Sequence, residues 1–299
     1  MQEIFQIILE ILFGIEPIKI LQSLHPTFDS IFIFFTQLGE DYVFTALIGI
    51  TYWCINKEIA IITFYVLISS GYLHYFLKMA LRMERPPPIY RIIGKEELSY
   101  GFPSGHTQNV ATFWSWAWLK IRKNWFAFIS IIIIFFVGLS RVYLGVHYLG
   151  DVIGGAIIGI LFSIFSFKLS QVKIKKIKDP YSLLLKITPV LAIFLFFFSL
   201  LIFPDIKRDD PSVQLGSLFG LPIGVMLEKK YINFNTNVSL KRKILRAIIG
   251  FGLVMILMVT LSPLLPSKIV YLRFTRYAII SLTAAFIVPL IFKIIEKYG

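Results

Sequence analysis

Long apolar runs, separated by short polar or basic segments, recur along the whole chain. A helix needs about 20 predominantly apolar residues to cross a bilayer, and most of these runs approach that length. Strand-period alternation is absent, which argues against a membrane barrel. The pattern predicts nine spans, at about residues 30–55, 59–81, 107–121, 125–143, 151–169, 183–203, 212–228, 245–263 and 272–295. The first is expected to break near Gly39-Glu40-Asp41 and to place Tyr52 and Trp53 at the far membrane interface, where amphipathic rings settle. Residues 1–24 alternate apolar positions with Glu3, Glu10 and Glu16 and contain Pro17, the pattern of an amphipathic segment lying on a surface. With those acids and no basic start, no cleavable signal peptide is expected. The fold class is therefore all-α, a polytopic transmembrane helical bundle of about nine spans. Residues 1–29 form an interfacial segment, 30–170 a first membrane domain, and 171–299 a second with about four spans.

Composition sharpens this reading. The 299 residues are 57% hydrophobic, with a mean hydropathy of +0.77, which excludes an ordinary soluble domain. The formal net charge of +13 would suit nucleic acid, but the lysines sit in short loops between spans. There, topology and attraction to anionic headgroups explain them, and no nucleic-acid partner is expected. Cys54 is the only cysteine, so there is no intrachain disulfide. The lysine- and isoleucine-rich, alanine-poor composition points to an AT-rich bacterial genome, hence an inner or plasma membrane.

Alternate loops differ in charge. One face collects Lys57, then Lys120, Arg122 and Lys123, then Lys168, Lys173, Lys175, Lys176 and Lys178, then Lys229, Lys230, Lys241, Arg242 and Lys243, and finally Lys293 and Lys297. On the other, Lys207 and Arg208 are offset by Asp205, Asp209 and Asp210, and Lys268 stands alone. Its dense cluster is Lys78, Arg82, Arg85, Arg91 and Lys95. If that cluster serves chemistry, the positive-inside rule makes the first face cytoplasmic and the cluster extracytoplasmic, together with the N-terminus.

Three stretches then share the extracytoplasmic face: Lys78 with Arg85-Pro86, Pro103-Ser104-Gly105-His106, and Ser140-Arg141 followed by His147 and Asp151. His147 and Asp151 are four residues apart, one face of a helix, so the carboxylate can hold one imidazole nitrogen and leave the other to react. Lys78, Arg85 and Arg141 supply cations; an arginine fork suits two phosphate oxygens at once. Ser104 and Gly105 open a helix, whose amides and positive end favour the same anion. This is a phosphate cradle that calls for no metal and no cofactor. His147 can attack phosphorus, while His106 protonates the leaving alkoxide and later activates water. Each element alone has a plainer meaning: basic residues beside spans usually anchor headgroups, the role assigned to Arg82, Arg91 and Lys95, and Ser-Gly at a helix start is often only a cap. Their coincidence on one face carries the chemical reading.

In order and residue type, the three stretches resemble the tripartite signature of the type 2 phosphatidic acid phosphatases, whose superfamily includes bacterial acid phosphatases and vanadium haloperoxidases. The resemblance covers about residues 30–170 and implies a six-helix phosphatase-type core. It further implies His147 as nucleophile, Asp151 as its orienting carboxylate, His106 as acid/base, and Lys78, Arg85, Ser104, Gly105 and Arg141 as phosphate ligands. The odd span count also resembles the glucose-6-phosphatase branch.

The leading expectation is a phosphatase acting on a phosphorylated lipid, a monoester or pyrophosphate, through a phosphohistidine. Candidate lipids are undecaprenyl (pyro)phosphate, phosphatidic acid, phosphatidylglycerol phosphate and a sphingoid-base phosphate; a soluble sugar phosphate is a variant. A lipid phosphotransferase using the same intermediate and a non-enzymatic anionic-lipid transporter are the competing classes. Elsewhere, His74 either faces the pocket or is packed and hydrogen-bonded, and His25 reads as interfacial. Cys54 lacks the cationic surroundings of a reactive thiolate. Phe194 to Phe198 read as lipid-facing or core residues. Gly216, Gly220 and Gly224, at four-residue spacing, predict close packing of one helix on another.

Overall fold

The computed structural model describes residues 2–93, 99–172, 179–205 and 208–298, with side chains to 296. Lys95, Lys173, Lys175, Lys176, Lys178, Lys207 and the side chain of Lys297 lie outside the described residues. Within them the chain is helical, without strands: α1 Gln2–Phe13, α2 Glu16–Gln22, α3 Asp29–Gln37, α4 Asp41–Cys54, α5 Lys57–Leu81, α6 Gly105–Ile121, α7 Asn124–Tyr143, α8 Leu149–Ser170, α9 Pro180–Ile202, α10 Ser212–Tyr231, α11 Leu240–Leu264, α12 Val270–Leu282 and α13 Val288–Tyr298. A 3-10 turn spans Pro88–Tyr90, and a π-helical turn, Thr283–Ile287, joins α12 to α13.

Each of the nine expected segments contains helix, but nine overcounts the spans. Among the described residues six helices are long and apolar enough to cross a membrane, or seven if α3 and α4, broken at Leu38–Glu40, count as one. The two that fall short do so for physical reasons. Helix α6 has 17 residues, below what 1.5 Å per residue needs to traverse about 30 Å of hydrocarbon. Helix α10 is long enough, but Gln214, two serines, three glycines and Pro222 dilute its apolar content. The architectural likeness to the glucose-6-phosphatase branch rested on that count and is not supported.

The chain divides into two compact units, Met1–Val43 with Ser69–Val172, and Phe44–Ile68 with Lys173–Gly299. In the first, α6 packs on α7 and α8, and α3 on α7. A buried polar seam holds α5, α6 and α8 in register. Gln108 donates to the Ser70 carbonyl (2.9 Å) and hydroxyl (3.1 Å), Ser70 pairs with Thr112 (2.9 Å), and Ser163 donates to the Thr112 carbonyl (2.6 Å). Such side chains join apolar helices where burial alone gives little preference for one register. Gly155 and Gly159 of α8 let α6 approach: a Cβ on Gly155 would lie 2.6 Å from the Ser104 carbonyl, and one on Gly159 2.8 Å from Ala111 Cβ.

In the second unit, α10 packs on α12 along Gly216, Gly220 and Gly224, where any Cβ would meet backbone or side-chain atoms of Phe274, Ala278 and Ala285. The close-packing expectation holds. Tyr52 and Trp53 are buried within the protein. Trp53 Nε1 donates to the Ala284 carbonyl (2.9 Å) and the Tyr52 hydroxyl to that of Ala285 (3.1 Å). Both acceptors lie in the π turn, whose altered ladder leaves carbonyls for side chains to satisfy. Phe196 is buried against Phe274, with ring centroids 4.6 Å apart, whereas Phe194 and Phe197 on the same helix are exposed, as are Val190 and Leu201. In an integral membrane protein that exposed apolar stripe is the lipid-facing side. Cys54 is buried, its Sγ donating to the Lys243 carbonyl (3.2 Å).

Replacing Gly159 with Leu is expected to push α6 from α8 and lower stability by about 1–3 kcal/mol, the usual cost of overpacking. Gly252 has nothing within 4 Å of a would-be Cβ, so Gly252→Leu is the matched change that should leave stability nearly unaltered. Thermal denaturation in detergent distinguishes the two.

Candidate functional site

Four helix ends converge in the first unit: the C-terminal ends of α5 and α7 and the N-terminal ends of α6 and α8. All three stretches singled out in the sequence lie there. The pair His147–Asp151 meets, with Nδ1 3.2 Å from Oδ2, and both side chains are almost fully buried. The local structure differs from a shared helical face, because His147 precedes α8, which starts at Leu149. Asp151 is the third residue of that helix, and its Oδ2 also accepts from the Tyr148 amide (3.0 Å). The carboxylate therefore caps the helix and reaches back to the imidazole, as a capping-box carboxylate does. Gly145 makes the turn from α7 possible: its φ is +69°, and a Cβ there would collide with the Tyr90 carbonyl.

With Nδ1–H committed to a carboxylate, His147 presents a lone pair on Nε2. The Arg85 guanidinium donates to it, NH1 to Nε2 at 3.1 Å. Burial pushes the His147 imidazole well below its usual pKa, and the positive charges of Arg85, Arg141 and Lys78 act in the same direction. The ring is thus neutral at and below its ordinary range, the form a nitrogen nucleophile needs.

The cations are held by groups that sequence reasoning passed over. Arg85 donates from Nε to the Ser99 carbonyl (2.8 Å), from NH2 to the Ser99 hydroxyl (2.9 Å) and from NH1 to the Val146 carbonyl (3.0 Å). Lys78 donates to that same hydroxyl (3.2 Å). Ser99 thus joins both cations of the first stretch. Arg141 donates to the Thr36 hydroxyl of α3 (2.8 Å). Ser104 is fully buried and precedes α6 without a side-chain bond to the helix's backbone amides; its hydroxyl meets that of Thr107 (3.1 Å) and its amide donates to the Asp151 carbonyl (3.0 Å). The following amides, from Gly105 on, open the helix and have no intrahelical acceptor. His74 is hydrogen-bonded, its Nε2 donating to the Pro103 carbonyl (3.1 Å), and a Cβ on Gly105 would lie 2.9 Å from its ring.

His106, in the first turn of α6, has Nε2 3.2 Å from Glu40 Oε1. Glu40 belongs to the break between α3 and α4; the sequence pattern located that break but gave no reason to read the carboxylate as part of the site. Thr36 and Ser99 had no signal either, being common polar residues far in sequence from their partners. Of Arg82 and Arg91, read as headgroup anchors, Arg82 is exposed, with Nε donating to the Met79 carbonyl (3.2 Å), and Arg91 is partly buried. His25 pairs with Asp29 (2.8 Å) on the periphery.

Comparison with known proteins adds an independent finding. Residues 59–175 match the PAP2 superfamily, and residues 212–298 match a model described as the PAP2 superfamily phosphatase, transmembrane extension. An undecaprenyl-diphosphatase of Sulfolobus acidocaldarius is 30% identical over 161 residues, 51% of this chain and 76% of that protein. A phosphatidylglycerophosphatase B of Bacillus subtilis is 37% identical over 92 residues, 28% of this chain and 45% of that protein. A dihydrosphingosine 1-phosphate phosphatase of Schizosaccharomyces pombe is 29% identical over 161 residues, 48% of this chain and 38% of that protein. This chain therefore belongs to the PAP2 superfamily, the family that the three stretches resemble. It spans less than half the length of the last two relatives. The match over residues 212–298 falls within the second membrane domain expected over 171–299.

Removing the Ser99 hydroxyl tests the anchoring of the two cations. Ser99→Ala is expected to weaken binding of orthovanadate, a phosphate mimic, about tenfold, the equivalent of one hydrogen bond to a charged group. Isothermal titration of the purified protein in detergent reads the change.

Proposed function

We propose that this protein is an integral membrane phosphatase that hydrolyses a lipid phosphate monoester or pyrophosphate through a phosphohistidine, without a metal. The observation that carries the reading is the buried His147 ring, with one nitrogen on Asp151 and the other facing the Arg85 guanidinium. A merely structural histidine has no need of a neutral, cation-flanked lone pair at the meeting point of two helix N-termini.

The steps follow from that arrangement. An incoming phosphate offers Arg85 a better acceptor than an imidazole, since charge-assisted bonds to phosphate oxygens are the stronger kind. Transfer of Arg85 to the substrate exposes Nε2 beside phosphorus. Nε2 attacks, the bond from phosphorus to the lipid oxygen breaks, and His106 gives that oxygen a proton. Water, deprotonated by His106, then attacks the phosphohistidine and releases phosphate. Uncatalysed monoester hydrolysis calls for acceleration approaching ~10²¹-fold, and electrostatic stabilisation of the phosphoryl oxygens by Lys78, Arg85, Arg141 and the first amides of α6 supplies a large share of it.

The lipid character of the substrate is supported by the site's position at the ends of apolar helices, where a headgroup enters while its tail stays in the bilayer. The relatives' names, which include a prenyl diphosphatase, a glycerophospholipid phosphatase and a sphingoid-base phosphatase, point the same way. The lysine-rich opposite loops favour an extracytoplasmic site in a bacterial plasma membrane.

Phosphate release from a panel of these lipids is the direct measurement. His147→Ala is expected to abolish turnover, and Asp151→Asn to lower kcat by about 10²–10⁴-fold, as loss of an orienting carboxylate does elsewhere. A chelator should leave the rate unchanged. Quenched turnover with radiolabelled phosphate should leave acid-labile label on the wild type and none on His147→Ala. Full activity in that variant would overturn the reading.

A further inference from the structure

The second histidine is held in the same manner as the first, by a carboxylate from a different element. We propose that Glu40 is the positioning residue of His106, fixing its tautomer so that Nδ1 is the nitrogen that exchanges the proton with the substrate oxygen. This role rests on the phosphatase reading above and extends it to a residue outside the three stretches.

Three observations converge. Glu40 Oε1 lies 3.2 Å from His106 Nε2, while Nδ1 has no hydrogen-bond partner among the described residues. The carboxylate comes from the break Leu38–Glu40, where α3 stops and α4 has not begun. A continuous helix would carry that side chain in helical geometry, whereas the break lets it turn to the ring. Finally, Gly39 backs the imidazole: a Cβ there would stand 3.0 Å from His106 Cδ2 and 3.2 Å from His106 Cβ. Thr36, one turn earlier, holds Arg141, so the end of α3 places both an acid/base and a phosphate cation.

The proton balance is complete. As the phosphorus–oxygen bond breaks, imidazolium Nδ1–H passes its proton to the departing alkoxide, and Nε2–H stays on Glu40. The neutral ring then offers the Nδ1 lone pair to water. Nucleophile and acid/base are thus two carboxylate–imidazole pairs with opposite ring orientation: Nδ1 is held in His147, and Nε2 in His106.

A general acid matters in proportion to how poor the leaving group is. The test therefore compares kcat/KM, which reports steps up to phosphohistidine formation, for an alkyl phosphate and a p-nitrophenyl phosphate ester. Glu40→Ala is expected to lower kcat/KM for the alkyl ester about 10- to 100-fold, within the range of general-acid contributions, and for the aryl ester less than about threefold. Glu40→Gln keeps an acceptor and should fall between wild type and Glu40→Ala. Gly39→Ala, which crowds the ring, should show the same leaving-group dependence. In a His106→Ala background, Glu40→Ala should cost nothing more. Elution from size exclusion in detergent checks that each variant is folded. Equal losses on both esters, additivity with His106→Ala, or no loss in Glu40→Ala would overturn the role of Glu40 while leaving the phosphatase reading intact. A wild type that releases phosphate from neither ester would overturn both.

Discussion

Asp151 is the group on which the arrangement depends. Its side chain accepts from the His147 ring and the Tyr148 amide, and its main-chain carbonyl accepts from the Ser104 amide. One residue thus caps α8, orients the His147 ring and joins the third stretch to the second. Burying a carboxylate costs several kcal/mol unless charge and hydrogen bonds offset it. Here Arg85 and Lys78 act on that carboxylate, so two of the cations proposed to hold phosphate also favour the charge that orients the His147 ring. Pocket charge and helix capping are consequently a single constraint, and a change at either end is transmitted to the other.

That constraint works only if the four helix ends stay in register, and the membrane offers little help. Lipid tails are as apolar as leucine, so helices gain little by choosing one another on hydrophobicity alone. The Gln108–Ser70–Thr112–Ser163 seam and the Gly155–Gly159 face supply the missing specificity. The seam gives hydrogen bonds that only one register satisfies, and the glycines give an approach too close for any side chain. Both lie within a few turns of Ser104 and Asp151, where a shift of one residue would turn the site groups away from one another.

The signature residues were legible in the sequence because their chemistry is unusual for a membrane chain. Several cations and two histidines at helix ends are hard to explain as anchoring. The supporting residues were not legible, for the complementary reason. Ser99, Thr36 and Glu40 are ordinary polar residues whose meaning lies in partners 14 to 105 positions away. The helix-face argument for His147 and Asp151 reached the right pair through the wrong geometry, since a carboxylate at the third helical position can reach back as well as along. The span count failed where function dilutes hydrophobicity. Helix α6 is short and polar because it begins in the site, and α10 is glycine-rich because it packs on α12. The partners of Tyr52 and Trp53 were not legible either, because the π turn that accepts from them leaves no trace in hydrophobic periodicity.

The break at Leu38–Glu40 shows how such failures become informative. A run long enough to cross a membrane is interrupted by a glycine and two acids, which is costly in lipid unless the freed backbone and the charges find partners. The partners exist: Thr36 meets Arg141, Glu40 meets His106, and Gly39 leaves room for the ring. An interruption that looks like a defect in hydrophobic patterning is therefore where the chain adds a fourth set of polar groups, meeting His106 and Arg141. Where an apolar run is broken by acids, the question to ask of the sequence is which cation or imidazole lies opposite.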